Sequence, residues 1–504
     1  MLSEMLSATV IGVDGVPVRV EADVAFGLPS LTIVGLAGSA VQEARERVRS
    51  AIRNCGFEVP SRRITVNLAP ADLPKEGTSY DLAIAAAILG ASGQLGAEDR
   101  RRRCALIGEL ALDGSLRPVP GVLALAAAAR SAGIGEVVVP VDAAREAAAA
   151  GGVDVRGAAT LGEAVAHLVG LRELPRVDPA PLPSWSAPAG SPDLGDVIGQ
   201  PFARRTLEIA VAGRHSLALT GPPGIGKTLV LRCAESLLPP LEEDEAVEVS
   251  RIHSVAGLID RREPVIRRRP LRAPHHTIST QALVGGGSRV RPGEASLAHR
   301  GVLLLDELLQ FRADALEALR QPLESGTVTI ARVEGALSLP ARFTLLAAFN
   351  PCPCGWRGSR TRTCSCDESM ARRYAARLSG PIRDRLDLWV SMDEPESLVH
   401  SRRGEASRAV ARRVAHAWER QRARQGRANG EMDAAWDPVA DAGERIVSVM
   451  AHRARRLVLS PRRVRRVARV ARTIADLDGS PRIERAHIDE ALAYRPDARA
   501  GEAK

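Results

Sequence analysis

The stretch Gly221-Pro-Pro-Gly-Ile-Gly-Lys-Thr228 decides the fold of this 504-residue chain. Its spacing, G-x-x-x-x-G-K-[ST], is typical of a phosphate-binding loop, in which backbone N–H groups surround phosphate oxygens and the lysine reaches between the β- and γ-phosphates. Only three of the 69 basic residues are lysines, which indicates that Lys227 stands where the planar guanidinium of arginine does not fit. We expect a nucleotide to be bound by Gly221, Pro222, Pro223, Gly224, Ile225, Gly226, Lys227, Thr228 and Leu229.

The residues around this loop predict a strand–loop–helix unit. Residues 216–220 form a short apolar run that predicts a buried strand, and residues 228–237 have helical spacing. Farther along, a second apolar run ends in Asp306 and Glu307. We expect Asp306 to hold Mg²⁺ together with Thr228, and Glu307 to orient or deprotonate the attacking water. Such an acidic pair, taken alone, is also consistent with a helix N-cap.

Length and composition predict a protein of about three domains without a membrane segment. The longest apolar stretches, residues 121–129 and 82–90, are too short to span a bilayer. The N-terminus lacks the basic region of a signal peptide. We therefore expect a cytoplasmic location, where the seven cysteines are reduced.

The net charge of +9 is concentrated at one end of the chain. Residues 361–504 hold 30 Lys and Arg against 21 Asp and Glu, so the first 360 residues are neutral overall. A local surplus of this kind indicates a polyanionic partner, most simply a nucleic acid. The alternative is a solvated, arginine-rich surface that reflects the composition of the chain.

Composition and patterning divide the chain into four regions. Residues 1–172 predict an α/β domain, residues 173–194 a proline-rich linker without regular structure, residues 195–393 the nucleotide domain, and residues 394–504 a helical region. In the first region, strands are predicted over residues 18–24, 30–34, 64–68 and 136–140.

Three further features follow the acidic pair. Two alternating runs around Val333-Glu334-Gly335 predict a β-hairpin. A buried strand predicted over residues 343–349 ends in Asn350, whose amide is suited to sense the γ-phosphate or to act as a cap. Arg385 is suited to reach the nucleotide of a neighbouring subunit, as arginine fingers do, or to form a surface ion pair.

Four cysteines stand within fifteen residues directly after Asn350, namely Cys352, Cys354, Cys364 and Cys366. Four thiols bind Zn²⁺ tetrahedrally and would fix this loop. Their C-x-C spacing is less usual for zinc than C-x-x-C, so unligated or redox-active thiols are the alternative. His275 and His276 stand side by side, and we interpret them as structural or nucleotide-responsive residues.

With these motifs in chain order, the sequence resembles the YifB/ComM family of Mg-chelatase-like AAA+ ATPases. The resemblance implies an α/β multidomain fold: a Lon-protease-like α/β N-terminal domain, an AAA+ P-loop NTPase domain with a parallel sheet, and a C-terminal helical lid. The matching segments between residue 196 and about residue 478 are DVIGQ, GPPGIGKT, RAPHHTIST, GEASLAHRGVLLLDEL, LPARFTLLAAFNPCPCG, RLSGPIRDRLDL and LSPRRVRRVARVARTIADL.

The resemblance implies roles for individual residues. Lys227 and Thr228 match the Walker A motif, Asp306 and Glu307 the Walker B motif, Asn350 sensor 1, Arg385 the finger that acts in trans, and Arg462 the sensor 2 arginine of the lid. The cofactors implied are ATP and Mg²⁺.

The family also implies a homo-oligomer, a hexameric ring with ATP between subunits, and a motor that acts on single-stranded or branched DNA. ComM-like members drive branch migration in homologous recombination during natural transformation. We expect a pore that grips phosphates through the hairpin carrying Arg332 and the glycine-rich insertion of residues 285–291, which includes Arg289, with Arg267, Arg268 and Arg269 adding charge. The alternatives are a Mg-chelatase ATPase subunit, an ATP-dependent unfoldase or peptidase, and a nucleotide-switched scaffold.

The N-terminal domain resembles the Lon protease domain but lacks one catalytic residue. Ser79 aligns with the serine nucleophile, whereas the position of the lysine base holds Leu123. A serine without a base to take its proton is a poor nucleophile, and nothing indicates that Lys75 replaces the base. We therefore expect a proteolytically inactive domain.

Overall fold

The computed structural model describes residues 1–95, 103–179, 190–287, 290–332, 335–394, 403–432, 436, 442–457 and 459–495. Across these ranges the protein is a mixed α/β structure with two large sheets and a C-terminal group of helices. No helix within them combines the length and the apolar character needed to cross a membrane.

The N-terminal region forms one eight-stranded sheet with helices on both faces. Helices α1, α2 and α5 cover one face, and α3 and α4 cover the other. The strand order is β10-β9-β8-β5-β1-β2-β4-β3. The elements are β1 (Leu2–Ile11), β2 (Asp14–Ala25), β3 (Ser30–Val34), α1 (Ser39–Asn54), β4 (Arg63–Ala69), α2 (Asp81–Ala91), β5 (Cys104–Leu106), β6 (Glu109–Leu110), β7 (Leu116–Arg117), α3 (Val122–Ser131), β8 (Glu136–Pro140), α4 (Ala144–Ala148), β9 (Asp154–Ala158), α5 (Leu161–Leu168) and β10 (Arg176–Val177).

The four strands predicted here lie within β2, β3, β4 and β8. The linker prediction is wrong at its beginning, because Arg176 and Val177 pair with Arg156 and Val155 as an antiparallel edge strand. Prolines flank this two-residue strand, and an edge position tolerates them because one side of the strand needs no ladder hydrogen bonds. The N-terminal sheet therefore extends beyond residue 172.

The central region is built around five parallel strands in the order β12-β15-β18-β11-β19. Every residue of β15 and β18 is buried, as expected for strands covered on both faces. The elements are α6 (Pro201–Gly213), β11 (Leu217–Thr220), α7 (Lys227–Arg232), α8 (Ala234–Leu237), α9 (Glu243–Val255), β12 (Leu271–Arg272), α10 (Thr280–Val284), β13 (Gly285–Gly286), β14 (Arg291–Pro292), α11 (Glu294–Leu297), β15 (Val302–Leu305), α12 (Ala313–Ala318), α13 (Arg320–Ser325), β16 (Thr327–Arg332), β17 (Gly335–Pro340), β18 (Thr344–Phe349), α14 (Glu368–Ala375), α15 (Gly380–Arg383) and β19 (Leu388–Ser391).

The predicted helix over residues 228–237 is divided into α7 and α8. At the junction, the N–H of Cys233 is shared between Leu229 O and Val230 O, each at 3.2 Å. This sharing tightens the turn toward 3₁₀ geometry and separates the two segments. Both segments are helical, so the helical spacing predicted over residues 228–237 is confirmed.

The C-terminal region is helical, as predicted, and shares its hydrophobic core with the central sheet. Val414 of α16 and Ile474 of α18 belong to the same buried cluster as Leu217 and Leu304 of the sheet. The elements are α16 (Ser407–Gln425), α17 (Glu444–Arg456), α18 (Pro461–Leu477) and α19 (Arg485–Ala493).

The N-terminal region contacts the central region through the β1–β2 turn and helix α3. Val13 in this turn is 1% exposed and lies in a core cluster made otherwise of central-region residues. Beside it, Asp14 pairs with Arg251 at 2.8 Å, and the N–H of Gly121 donates to Ser254 O at 3.0 Å. The N-terminal region therefore packs against helix α9.

Candidate active site

Three neighbouring strands of the parallel sheet end beside one another at one edge. β11 is followed directly by the phosphate loop, β15 by Asp306 and Glu307, and β18 by Asn350. Because the carboxyl ends of adjacent parallel strands meet at the same edge, these groups lie together there.

The backbone of the phosphate loop has two positions that demand glycine. Gly221 has a φ of +153°, and a Cβ added to it would lie 2.5 Å from both the Ile225 side chain and the carbonyl oxygen of Met392. Gly226, which precedes α7, has a φ of +90°. Glycine adopts this conformation without strain and leaves the loop N–H groups open to an anion.

Lys227 is held toward the centre of this loop. Its Nζ donates hydrogen bonds to Gly221 O at 2.8 Å, to Pro222 O at 2.7 Å and to Asn350 Oδ1 at 3.1 Å. The side chain is 8% exposed. The structure thus brings the predicted phosphate lysine and the predicted γ-phosphate sensor into direct contact.

The environment of Lys227 disfavours its charge. Burial lowers the pKa of Lys227 to about 8, while the carboxylates of Asp306 and Glu307 act in the opposite direction. An ammonium group that burial has destabilised gains strongly from an added negative charge, such as that of a phosphate.

Thr228 and Asp306, the two residues predicted to hold Mg²⁺, are in direct contact. Thr228 Oγ1 donates to Asp306 Oδ2 at 2.7 Å, so a hydroxyl and a carboxylate oxygen face each other beside the phosphate loop. Oxygen ligands of these two kinds suit Mg²⁺, which supplies positive charge to the phosphate oxygens when it is bound.

Glu307 follows Asp306 in a strained backbone conformation. Its φ is +52°, and its N–H donates to Asp306 Oδ1 at 2.9 Å. A left-handed non-glycine residue is uncommon and is retained where the surroundings fix it, often at functional sites. The conformation sets the direction in which the half-exposed Glu307 carboxylate points.

His276 is a site residue that sequence reasoning left without a role. Its Nδ1 lies 3.3 Å from Glu307 Oε2, and its ring packs on His275 with centroids 4.1 Å apart and on the edge of Phe311 at 6.4 Å. Of the signals in the sequence, only the adjacent pair of histidines pointed to this place. The contact places a ring nitrogen of His276 beside the Glu307 carboxylate.

Arg385 and Arg462 lie at the opposite, amino edge of the sheet and share one partner, Glu324. Arg385 Nη2 lies 2.5 Å from Glu324 Oε2, and Arg462 Nη2 lies 3.0 Å from Oε1. The edge is defined by Asp387, whose N–H donates to Ser216 O, immediately before β11. The Arg385 guanidinium holds the pKa of Glu324 below its usual value, with Arg462 adding to the effect. Sequence reasoning did not single out Glu324.

A cavity of about 1180 Å³ opens at this amino edge. Eleven arginines and six carboxylates line it, so its walls carry a surplus of positive charge. Arg269 lies among them, 5% exposed, and donates to Glu245 at 2.5 Å. The expectation that Arg269 adds charge to a pore is therefore wrong, because its guanidinium is buried in an ion-pair network.

The two predicted pore segments are both hairpins in the structure. β16 and β17 pair as predicted up to Arg332 and Gly335, and β13 pairs with β14 across the glycine-rich insertion. Arg291 of β14 is exposed. Arg289 and the side chain of Arg332 lie outside the described residues.

The four cysteines after Asn350 converge on one point. Their sulfur atoms all lie within 4.8 Å of one another. Cys352 is fully buried and the other three are partly buried. The loop therefore has the donor set of a metal site.

In the N-terminal region, the residue aligned with a catalytic serine has no basic partner in the described hydrogen bonds. Ser79 is 7% exposed, and its Oγ donates to Ala8 O at 3.2 Å. Lys75 is buried and donates to Pro70 O, while Leu123 is buried in α3. The inactivity of this domain stays a prediction.

Comparison with known proteins places similar sequences along the whole chain. Models of magnesium chelatase, subunit ChlI, match residues 20–143 and 193–399, and a model of its C-terminal part matches residues 404–495. The uncharacterised protein YifB of Escherichia coli is 43% identical over 503 residues, covering 98% of this chain and 97% of that protein. The competence protein ComM of Haemophilus influenzae is 41% identical over 504 residues, covering 98% and 97%. A Lon protease of Chloroflexus aurantiacus is 32% identical over 136 residues, which are 25% of this chain and 16% of that protein.

Proposed function

This chain belongs to the YifB/ComM family of Mg-chelatase-like AAA+ ATPases, and on that basis we propose that it is an ATP-hydrolysing ring motor that acts on DNA. The observation that carries the proposal is the convergence of Lys227, Thr228, Asp306 and Asn350 at one edge of the parallel sheet. In this reading the motor remodels single-stranded or branched DNA during homologous recombination.

Each residue at this edge has a role in phosphoryl transfer. Lys227 and the loop N–H groups bind the β- and γ-phosphates, and Thr228 and Asp306 hold Mg²⁺. Glu307 orients the attacking water and accepts its proton, while Asn350 contacts the γ-phosphate from the side of Lys227. His276 competes with water for the Glu307 carboxylate and so positions the base.

The two arginines at the amino edge act on the nucleotide of a neighbouring subunit. Strands of four to six residues separate the two edges of the sheet, which at about 3.3 Å per residue is roughly 13 to 20 Å. An arginine side chain does not span this distance, so Arg385 cannot reach the phosphate loop of its own chain. A head-to-tail ring brings the amino edge of one subunit to the carboxyl edge of the next.

In such a ring, Glu324 holds Arg385 and Arg462 together until a neighbour presents its nucleotide. A triphosphate then competes with Glu324 for the two guanidiniums. Hydrolysis therefore requires assembly.

Support for DNA as the polyanion comes from charge and from one relative. The basic surplus lies in residues 361–504, and the relative from Haemophilus influenzae is named a competence protein. The hairpin β13–β14 carries exposed Arg291, which suits non-specific contact with phosphates.

The test is ATP turnover by the full chain with no DNA, single strands, duplex or a four-way junction, together with junction migration. We expect DNA to raise turnover several-fold, and Glu307→Gln to lower it by about 10²–10⁴-fold while ATP still binds. Lys227→Ala should lose binding as well. The matched control is Glu317→Gln, an exposed glutamate on α12, which should behave as the unaltered protein.

Absence of ATP hydrolysis at millimolar nucleotide would overturn the whole proposal. If no form of DNA changed the rate of ATP hydrolysis, the proposal that the motor acts on DNA would be overturned. That result would favour a different activity within the family, such as metal insertion by a chelatase-type subunit.

A further inference from the structure

We propose that Cys352, Cys354, Cys364 and Cys366 bind one Zn²⁺ ion, which fixes the loop behind the phosphate site. The four cysteines come from two C-x-C pairs, and each pair contributes sulfur atoms to the same cluster. The cluster lies outside the residues assigned to nucleotide binding, and its occupancy is independent of whether the protein hydrolyses ATP.

Three of the distances between the sulfur atoms are close to the edge length of a tetrahedron around one ion. With a Zn–S bond of about 2.3 Å, the edges of such a tetrahedron are about 3.8 Å long. Cys352 Sγ lies 3.4 Å from Cys354 Sγ and 3.7 Å from Cys364 Sγ, and Cys354 Sγ lies 3.6 Å from Cys364 Sγ. The fourth sulfur, of Cys366, is within 4.8 Å of the others.

These distances favour a single ion over an iron–sulfur cluster. In a cluster of several irons, the cysteine sulfurs bind different metal atoms and are spread farther apart. A tetrahedral site made only of thiolates suits Zn²⁺, and with four protein ligands it leaves no position open for water. The site is therefore structural rather than catalytic.

The backbone provides the outer hydrogen bonding that thiolates need. The N–H of Cys354 donates to Cys366 Sγ at 3.4 Å, which links the two C-x-C pairs directly. A donor of this kind offsets the negative charge that a thiolate keeps when it binds a metal. Zinc binding would deprotonate the four thiols.

The loop that the ion would fix is packed against the nucleotide site. Gly355, next to Cys354, has a φ of +87°, and a Cβ added there would lie 2.9 Å from Pro223 Cδ and 3.7 Å from Asn350 Cγ. Cys352 itself is two residues after Asn350. By fixing this loop, the ion would support the contact between the phosphate loop and Asn350, the predicted sensor of the γ-phosphate.

The experiment is metal analysis of the freshly purified full chain. We expect about one zinc and less than about a tenth of an iron per chain. Cys366→Ser should reduce the zinc to below about a fifth, while Cys55→Ser, a partly buried cysteine of the N-terminal region, should keep it. Replacement of zinc by Co²⁺ in the full chain should give the visible d–d bands and the near-ultraviolet charge-transfer bands of a Co²⁺ ion coordinated tetrahedrally by thiolates.

Because a cysteine variant can fail to fold, the unaltered chain provides a second test. Titration with a thiol-modifying mercurial should release one zinc as the cluster thiols react. The proposal would be overturned if the folded protein held under about a tenth of an equivalent of zinc and gave no cobalt–thiolate bands. It would also be overturned by about one iron per chain, or by a zinc loss in Cys55→Ser equal to that in Cys366→Ser.

Discussion

Lys227 loses its proton in the mildly alkaline range, because burial lowers its pKa to about 8 in the free protein. Only the ammonium form binds a triphosphate well, and bound phosphate charge raises the pKa again. Above pH 8, binding must therefore take up a proton. The affinity for ATP should fall about twofold between pH 7 and pH 8, and the fall should approach about tenfold for each further pH unit.

Isothermal titration calorimetry with a non-hydrolysable ATP analogue, in buffers of different ionisation enthalpy, measures both the affinity and the proton uptake. Lys227→Ala should bind weakly at every pH and show neither effect. Equal affinity at pH 7 and pH 9.5 would show that this lysine is not the group that titrates.

Residues that follow a strand could be predicted from the sequence, while residues whose partners come from distant loops could not. Asp306 and Asn350 each end an apolar run, and parallel strands bring such ends to one edge. His276 reaches Glu307 from the connection between β12 and α10, and Glu324 meets Arg385 across 61 residues of chain. No local sequence pattern predicts either of these two contacts.

At the scale of elements, a buried polar cluster joins helix α16 to helix α18 through Asp476. Asp476 is 1% exposed, accepts two hydrogen bonds from Arg424 at 2.8 Å each, and pairs with Arg472 at 3.1 Å. Asn429 Nδ2 also donates to it at 2.8 Å. In the same cluster, Asn429 donates to Thr473 Oγ1, which lies 2.7 Å from a ring nitrogen of His215 beside β11. The helices are thereby tied to the strand that leads into the phosphate loop.

Asp476→Asn should destabilise the protein by about 3–5 kcal/mol, because the buried guanidinium of Arg472 and the partly exposed one of Arg424 would lose their carboxylate. Calorimetric melting of the full chain should show a transition at lower temperature. The matched control is Asp478→Asn, a carboxylate 47% exposed that pairs with Arg205, which should cost at most about 1 kcal/mol. Equal melting shifts for the two variants would contradict this account.

Strands and helices could be predicted where the hydrophobic periodicity of the sequence is strong. They could not be predicted where pairing with a distant strand determines whether the element forms. β3 and β8 match their predicted bounds, because β3 alternates clearly between exposed and buried residues and β8 is a compact apolar run. β1 was not predicted, since its run LSEMLSATVI alternates weakly, and ten residues of pairing with β2 define it. β10 exists only because β9 offers an edge beside it.

At the scale of the whole molecule, the nucleotide edge and the arginine edge of the central sheet are on opposite sides. The N-terminal region docks on helix α9 through Val13 and the pair of Asp14 with Arg251. Two different faces on one chain are what a head-to-tail ring requires, since each interface joins unlike surfaces. In the proposed ring, a complete catalytic site needs residues from two subunits.

This arrangement can be tested by mixing two inactive variants. Glu307→Gln damages the carboxyl edge and leaves Arg385 intact, whereas Arg385→Ala damages the amino edge and leaves Glu307 intact. In an equal mixture that exchanges subunits freely, about a quarter of the interfaces join two intact edges, so turnover should recover to about a quarter of that of the unaltered protein. A site completed within one chain would recover nothing. The control is a mixture of Glu307→Gln with Lys227→Ala, in which both defects lie at the same edge and every interface remains damaged. No recovery in the first mixture, once exchange is verified by labelled subunits, would place Arg385 outside the neighbour's catalytic site. Recovery in the control would show that Glu307 and Lys227 do not act at the same edge.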